Sequence, residues 1–288
     1  IIGMTVIAFG TSAPELLVSM DAALSGSPAM ALGNVIGSNM ANMLLILGSA
    51  ALFMPISIQP YALKNDAVML LVASALFGWF CWSGPIGSWQ GVVLIVLLAG
   101  FLIRAYLRDS RDGGVSAEIH VEEVKDFEGI TSLKLIWMAI LAGLAGVVFG
   151  ADMLVDGGVD LARTFGVAEE VIGLTVLAFG TSLPELAASI VAALRGHTEV
   201  ALGNVVGSNL FNVLAVIGTV ALVTPLQAPA QLLDFDLWIM LGTTIVLMPF
   251  LMGGWRIGRV TAVAFLSVYG AYIFAQAYGV SAVLEILG

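Results

Sequence analysis

GMTVIAFGTSAPELLVSMDAALSGSPAMALGNVIGSNMANMLLILG, residues 3–48, returns 170 positions later as GLTVLAFGTSLPELAASIVAALRGHTEVALGNVVGSNLFNVLAVIG, residues 173–218. The two stretches align without a gap and agree at 27 of 46 positions. Apolar composition alone produces chance matches of Leu, Ala and Val. It does not produce paired Gly10/Gly180, Pro14/Pro184, Glu15/Glu185, Asn34/Asn204, Ser38/Ser208 and Asn42/Asn212. An internal duplication is the reading, and it decides the fold.

Outward from the repeat, the 288 residues are 60% hydrophobic and 10% charged, with a mean hydropathy of +1.05. A water-soluble domain carries about a quarter charged residues, so this chain cannot clothe a surface in water. Its apolar segments are continuous rather than alternating, which excludes a membrane β-barrel. An all-α polytopic membrane protein follows. The net charge of −10 does not suggest nucleic-acid binding. Cys81 is the single cysteine and lies in an apolar run, so it is read as an inert buried thiol.

Apolar runs between breakers give nine spans: 2–24, 29–52, 61–82, 88–107, 132–162, 170–194, 199–223, 232–252 and 258–279. Five spans separate the first helix from its copy, an odd number, so the copies cross in opposite senses. This is an inverted-topology repeat, a pattern of secondary transporters. The domains read as residues 1–107, a polar linker 108–131, and residues 132–288. With the linker in the cytoplasm, Lys64, Arg104, Arg108, Arg111, Lys125, Lys134, Arg195, Arg256 and Arg259 fall inside and only Arg163 outside, as the positive-inside rule asks. A full helix precedes Gly173 but none precedes Gly3. The expectation is therefore five helices plus five, with the first missing from this chain.

A glutamate in mid-bilayer is costly and usually functional. Here two occupy equivalent places, and a two-fold axis in the membrane plane would bring Glu15 and Glu185 together. Two close carboxylates repel, and one takes a proton unless a cation holds both. Pro14 and Pro184 lack an N–H, and Gly10 and Gly180 let the backbone open, so the helices should break there and line a cavity. Thr11, Ser12, Thr181 and Ser182 add hydroxyls. Ser38 and Asn42, four apart, share a helix face, as do Ser208 and Asn212. The donor set is oxygen-rich, which suits hard cations such as Ca²⁺ and Na⁺.

Bland readings stand beside these. Any single hydroxyl in a membrane helix often bonds back to its own backbone. Gly33, Gly37, Gly203 and Gly207 serve close helix packing. Asn34 and Asn204 either tie broken helices together or join the site. Asp152, Asp156 and Asp160 are read as a solvated helix end, with an ion-entrance vestibule as the alternative. Asp21 and Asp66 are taken to lack repeat partners and are given no role.

The paired motifs GTSAPEL with GNVIGSN, and GTSLPEL with GNVVGSN, resemble the two α-repeats of the calcium/cation antiporter superfamily, most closely its prokaryotic sodium/calcium exchanger branch. They cover about a third of the chain. The resemblance implies ten helices in two inverted halves in a prokaryotic plasma membrane, with ions bound centrally. It implies that Glu15 and Glu185 bind Ca²⁺ and share in binding Na⁺. It carries ligand roles to Thr11, Ser12, Thr181, Ser182, Ser38, Asn42, Ser208 and Asn212, and to the backbone carbonyls of Ala8 and Ala178. It further implies that a helix at 132–162 slides across a static core. Some relatives have an aspartate where this chain has Asn42 and Asn212; two amides point to exchange without potassium. No resident cofactor is implied, Ca²⁺ and Na⁺ being substrates. A proton-coupled calcium antiporter and a passive cation channel are the alternatives. An intramembrane hydrolase would need a base beside Ser12 or Ser182, yet His120 and His197 sit in loops.

Overall fold

The structure is a computed structural model that describes residues 10–57, 63–111 and 133–280. Its helices are α1 (Ala13–Leu24), α2 (Pro28–Phe53), α3 (Lys64–Ser83), α4 (Ser88–Arg111), α5 (Leu133–Thr164), α6 (Glu169–Thr181), α7 (Leu183–Leu194), α8 (Thr198–Val223), α9 (Leu232–Gly253) and α10 (Arg259–Tyr278). Among the described residues, six are long and apolar enough to cross a bilayer, or seven when α6 and α7 count as one span bent by 45°. Apart from the start of the first span, which lies outside the described residues, the expected span boundaries hold to within a few residues. One difference lies in α4, which runs to Arg111 rather than ending at residue 107. Once past the lipid a helix still satisfies its own backbone, so it need not end where the apolar run does. Ala8 and residues 112–131 of the linker lie outside the described residues.

The duplication survives in three dimensions at the level of single turns. α1 and α7 match residue for residue under the 170-position offset, as do α2 and α8. Gly26 and Gly196, in the turns that follow α1 and α7, share a left-handed φ of 86° and 85°, which a side chain would strain. Two short antiparallel bridges recur as well, Ile56 with Ile257 and Ile86 with Leu226. These bridges fix the relative sense of the halves. Ile56 follows α2 on one face of the molecule. Helix α3 then crosses to the other face, where Ile86 meets Leu226 just after α8. Thus α2 and α8 end on opposite faces and run in opposite directions, as the odd span count requires.

Burial ranks the helices. The membrane-length windows of α2 and α8 are each 83% buried, against 17% for that of α4. A helix apolar all round and buried all round is a core element. The outer helices leave Trp89, Val96, Trp238, Ile245 and Val260 exposed. In water such a surface would aggregate; against lipid it is the expected coat. Cys81 is buried and free, in keeping with an inert thiol.

α2 crosses α6 without room for a side chain. A Cβ on Gly33 would sit 2.5 Å from the Glu170 carbonyl oxygen, and one on Gly173 2.4 Å from that of Met30. The packing role expected of Gly33 and Gly37 is thereby met. Helix α5 packs on α6 and α7 and leaves Met138, Phe149, Met153 and Leu161 exposed.

One expectation is corrected. Asp66 does have a repeat partner, because the same offset carries it to Asp236. The partnership was missed because the identities thin out beyond residue 48, where most side chains need only be apolar. Asp236 is fully buried at the start of α9. Its Oδ1 accepts from the Tyr272 hydroxyl at 2.9 Å and from Gln276 Nε2 at 2.6 Å, and its Oδ2 from Gln231 Nε2 at 3.5 Å. Asp66 instead lines a cavity of about 340 Å³ with Arg104, Val72 and Phe101. The Asp236 cluster pins α9 to α10. Asp236→Ala would leave two buried donors without an acceptor, and is expected to destabilise the fold by roughly 2–4 kcal/mol. Thermal unfolding in detergent should show a lower midpoint for Asp236→Ala and a smaller fall for Asp236→Asn, which keeps an acceptor.

Candidate functional site

Both glutamates stand in the first turn of a helix with proline at its second position, directly after a break. The break residues are Ser12 (φ −89°, ψ 7°) and Ser182 (φ −85°, ψ 5°). Pro184 has no N–H to give the Gly180 carbonyl, and α6 and α7 part there by 45°. A serine before a helix ordinarily caps it with its own hydroxyl. Neither serine does so here. Ser12 Oγ donates to Glu185 Oε1 at 2.8 Å, and Ser182 Oγ donates to Glu15 Oε1 at 3.3 Å. Each repeat thus supplies a hydroxyl to the other repeat's carboxyl. Ser208 Oγ adds a second donor to Glu185 Oε1 at 3.3 Å.

The threonines form the next ring. Thr181 Oγ1 donates to Asn34 Oδ1 at 3.2 Å and lies 3.4 Å from Ser38 Oγ. Thr11 Oγ1 donates to Asn204 Oδ1 at 3.5 Å. The amide nitrogens of Asn34 and Asn204 reach Ser19 and Ser189, at 2.9 and 3.2 Å. Asn34 and Asn204 therefore act as ties between helices and between repeats. The back-bonded hydroxyl is found elsewhere, at Thr175 to Val171 and at Thr244 to Met240. The motif hydroxyls all reach across to other segments.

Asn42 and Asn212 sit where α2 and α8 widen into π-helical turns, Ala41–Ile46 and Asn212–Ile217. Such turns recur at functional sites. The widening starts at these amides and leaves the four-residue spacing before them intact, since the Asn212 N–H bonds the Ser208 carbonyl as in an α-helix. Asn42 Nδ2 donates to Asn209 Oδ1 at 3.0 Å, and Asn212 Nδ2 to Asn39 Oδ1 at 3.2 Å. Neither Asn39 nor Asn209 was singled out from sequence. Both lie in the repeated GSN triplet, which was the available signal.

Glu15, Glu185, Ser12, Thr11, Thr181, Ser182, Ser38, Ser208, Asn42 and Asn212 are all buried. Ala178 is buried too, and its carbonyl already accepts from Ser182 N at 3.2 Å, which leaves one lone pair. Within this cluster four acceptors have no donor: Glu15 Oε2, Glu185 Oε2, Asn42 Oδ1 and Asn212 Oδ1. They form two symmetric pairs. Buried acceptors without partners are rare and costly, and a hard cation is the kind of group that satisfies several at once. Among the described residues, no three His, Cys, Asp or Glu side chains cluster, so softer metals have no nitrogen or sulfur cage.

The acidic stripe on α5 fares differently. Asp156 and Asp160 are exposed, as a solvated helix end would be, yet they line a cavity of about 440 Å³ together with Asp21 of α1. Arg163 at its rim is held bidentately by Glu169, both contacts 3.0 Å. The side chain of Asp152 lies outside the described residues.

The family model for the sodium/calcium exchanger protein family matches residues 1–107 and 135–278. This chain belongs to that family. The sodium/calcium exchanger MaX1 of Methanosarcina acetivorans is 29% identical over 311 residues, covering 96% of this chain and 89% of the relative. A putative antiporter, CaxA, of Alkalimonas amylolytica is 35% identical over 254 residues, covering 86% and 77%. Among solved structures, the sodium-calcium exchanger NCX_Mj superposes with a TM-score of 0.73 at 30% identity, over 94% of this chain and 85% of that one. As a sodium/calcium exchanger family member, the chain is an integral membrane protein of the antiporter type and a transporter rather than an enzyme.

Proposed function

We propose that the protein exchanges Ca²⁺ for Na⁺ by alternating access, with both ions competing for one central site. Glu15 and Glu185 are its charged ligands. Asn42 and Asn212 give neutral side-chain oxygens, and Ser12, Thr11, Ser182, Thr181, Ser38, Ser208 and the Ala178 and Ala8 carbonyls complete or support the shell. The observation that carries this reading is the set of four buried acceptors without donors, two carboxylate and two amide, arranged in two-fold pairs. Ca²⁺ takes six to eight oxygens, so water and backbone carbonyls would fill the remainder. Coupling then needs no second site. One ion displaces the other, and the loaded site is presented to each side in turn.

The two repeats, 1–107 and 132–288, would flank this site, with linker 108–131 on the cytoplasmic side of a prokaryotic plasma membrane, as the distribution of Lys and Arg favours. Helix α5 packs on α6 and α7 at the edge of the bundle, which suits an element that slides.

Proton-coupled exchange is the second reading, because two protons would discharge the same carboxylates. Vesicles separate them. A Na⁺ gradient alone is expected to drive Ca²⁺ uptake at least tenfold above the leak, and a pH gradient alone is expected to drive none. The opposite result would replace Na⁺ by H⁺ as the counter-ion. Uptake without any counter-ion would make the protein a channel.

A further inference from the structure

We propose that Asn39 and Asn209 are positioning residues that set the polarity of the Asn42 and Asn212 amides, so that both side-chain oxygens are turned to the cation. The inference rests on the central site proposed above and deepens it. A carboxylate offers an oxygen whichever way it turns. An amide does not, since one end accepts and the other donates. At Asn42 and Asn212 something must therefore choose the end, or a positive N–H edge would face the ion.

The structure contains two hydrogen-bonded relays that make this choice, and each crosses between the repeats. In one, Asn209 Nδ2 donates to the backbone oxygen of Asn39 at 3.5 Å. Asn209 Oδ1 is thereby presented to Asn42 Nδ2 at 3.0 Å, and Asn42 Oδ1 is the orphaned atom. In the other, Asn39 Nδ2 donates to Met240 Sδ at 3.8 Å. Asn39 Oδ1 then receives Asn212 Nδ2 at 3.2 Å, and Asn212 Oδ1 is left over. Both relays begin at a group that can only accept, a backbone carbonyl in one case and a thioether in the other. That root fixes the first amide, and the first amide fixes the second. Reversing Asn42 would set its oxygen against Asn209 Oδ1 and leave an N–H without an acceptor. All four side chains are buried, so water does not rescue the reversed state.

A double-mutant cycle tests this in proteoliposomes made with the full chain. The readouts are the KM for Ca²⁺ in Na⁺-driven uptake and the Ca²⁺ concentration that gives half of the thermal stabilisation. Asn209→Leu removes the acceptor for Asn42 Nδ2. It is expected to weaken Ca²⁺ by about tenfold in both readouts, chiefly in KM. In an Asn42→Asp background the two ends of the side chain are alike, and adding Asn209→Leu is expected to cost less than twofold or to help. An equal penalty in both backgrounds, or none with Asn42 present, overturns the proposal. If Asn209→Leu does not fold, Asn39→Leu with Asn212→Asp gives the same cycle on the other relay, and failure to fold at both positions counts as a structural role and against the proposal. The two readings fail separately. Uptake that survives Glu15→Gln ends the site itself, whereas an equal penalty alongside a strict need for Glu15 ends only the polarity relay.

Discussion

Glu15→Gln and Glu185→Gln are each expected to lower Na⁺-driven Ca²⁺ uptake by a hundredfold or more, while the protein still folds. Glutamine keeps the size of the side chain and an oxygen that Ser182 or Ser12 can still approach. It removes a full negative charge from a site screened from water, where breaking a buried charge pair costs about 3–5 kcal/mol. Since 1.4 kcal/mol is a factor of ten, the loss spans roughly two to four decades. Without an ion the prediction reverses in sign. A neutral amide relieves the repulsion between two buried carboxylates, so the ion-free variants should melt no lower than the parent. The checks are uptake into vesicles and the thermal shift on adding Ca²⁺, which should vanish. Retention of uptake within severalfold, by either variant, would remove the charge from the mechanism.

Gly37→Ala is expected to lower the folded yield and the melting temperature. A Cβ there would lie 2.4 Å from the Leu174 carbonyl oxygen and 2.7 Å from Ala178 Cβ. The first neighbour is backbone and cannot swing aside, so α2 and α6 must separate. Overpacking costs about 1–3 kcal/mol and more where the backbone resists. The gain in helix propensity from Gly to Ala, about 1 kcal/mol, does not offset it. Gly270→Ala in α10 is the control, because nothing lies within 4 Å of the added carbon. That variant should melt at or above the parent temperature, and Gly37→Ala should lose folded yield and melt well below it. Equal melting of the two would mean that the helices do not cross this closely.

Several residues show where sequence reasoning reaches and where it stops. The end of α1 and the bounds of α2 were readable because lipid demands long apolar runs and the turn between them carries Gly26 and Pro28. Glu15 and Glu185 were readable because a carboxylate in an apolar run has few explanations, and a repeated one has fewer. Asn39 and Asn209 were not, because a buried asparagine reads alike whether it holds an ion, ties two helices or orients a neighbour. Asp236 was passed over because its partners, Gln231, Tyr272 and Gln276, are up to 40 positions away. The π-helical turns at Asn42 and Asn212 left no mark either, since one extra residue in a helical turn does not change an apolar composition.

The sequence by itself determined the membrane class, the duplication, the opposed sense of the halves and the identity of the acidic pair. Each follows from local hydropathy, from counting or from self-comparison along one chain. Only the tertiary structure decided which hydroxyl serves which carboxyl, which glycines touch backbone and which way the amides face. The hydrogen bonds that cross from one repeat to the other join side chains as much as 173 positions apart, as from Ser182 to Glu15 and from Asn212 to Asn39. Hydrogen-bond direction belongs to such a pair and not to either residue, so no stretch of chain read alone contains it.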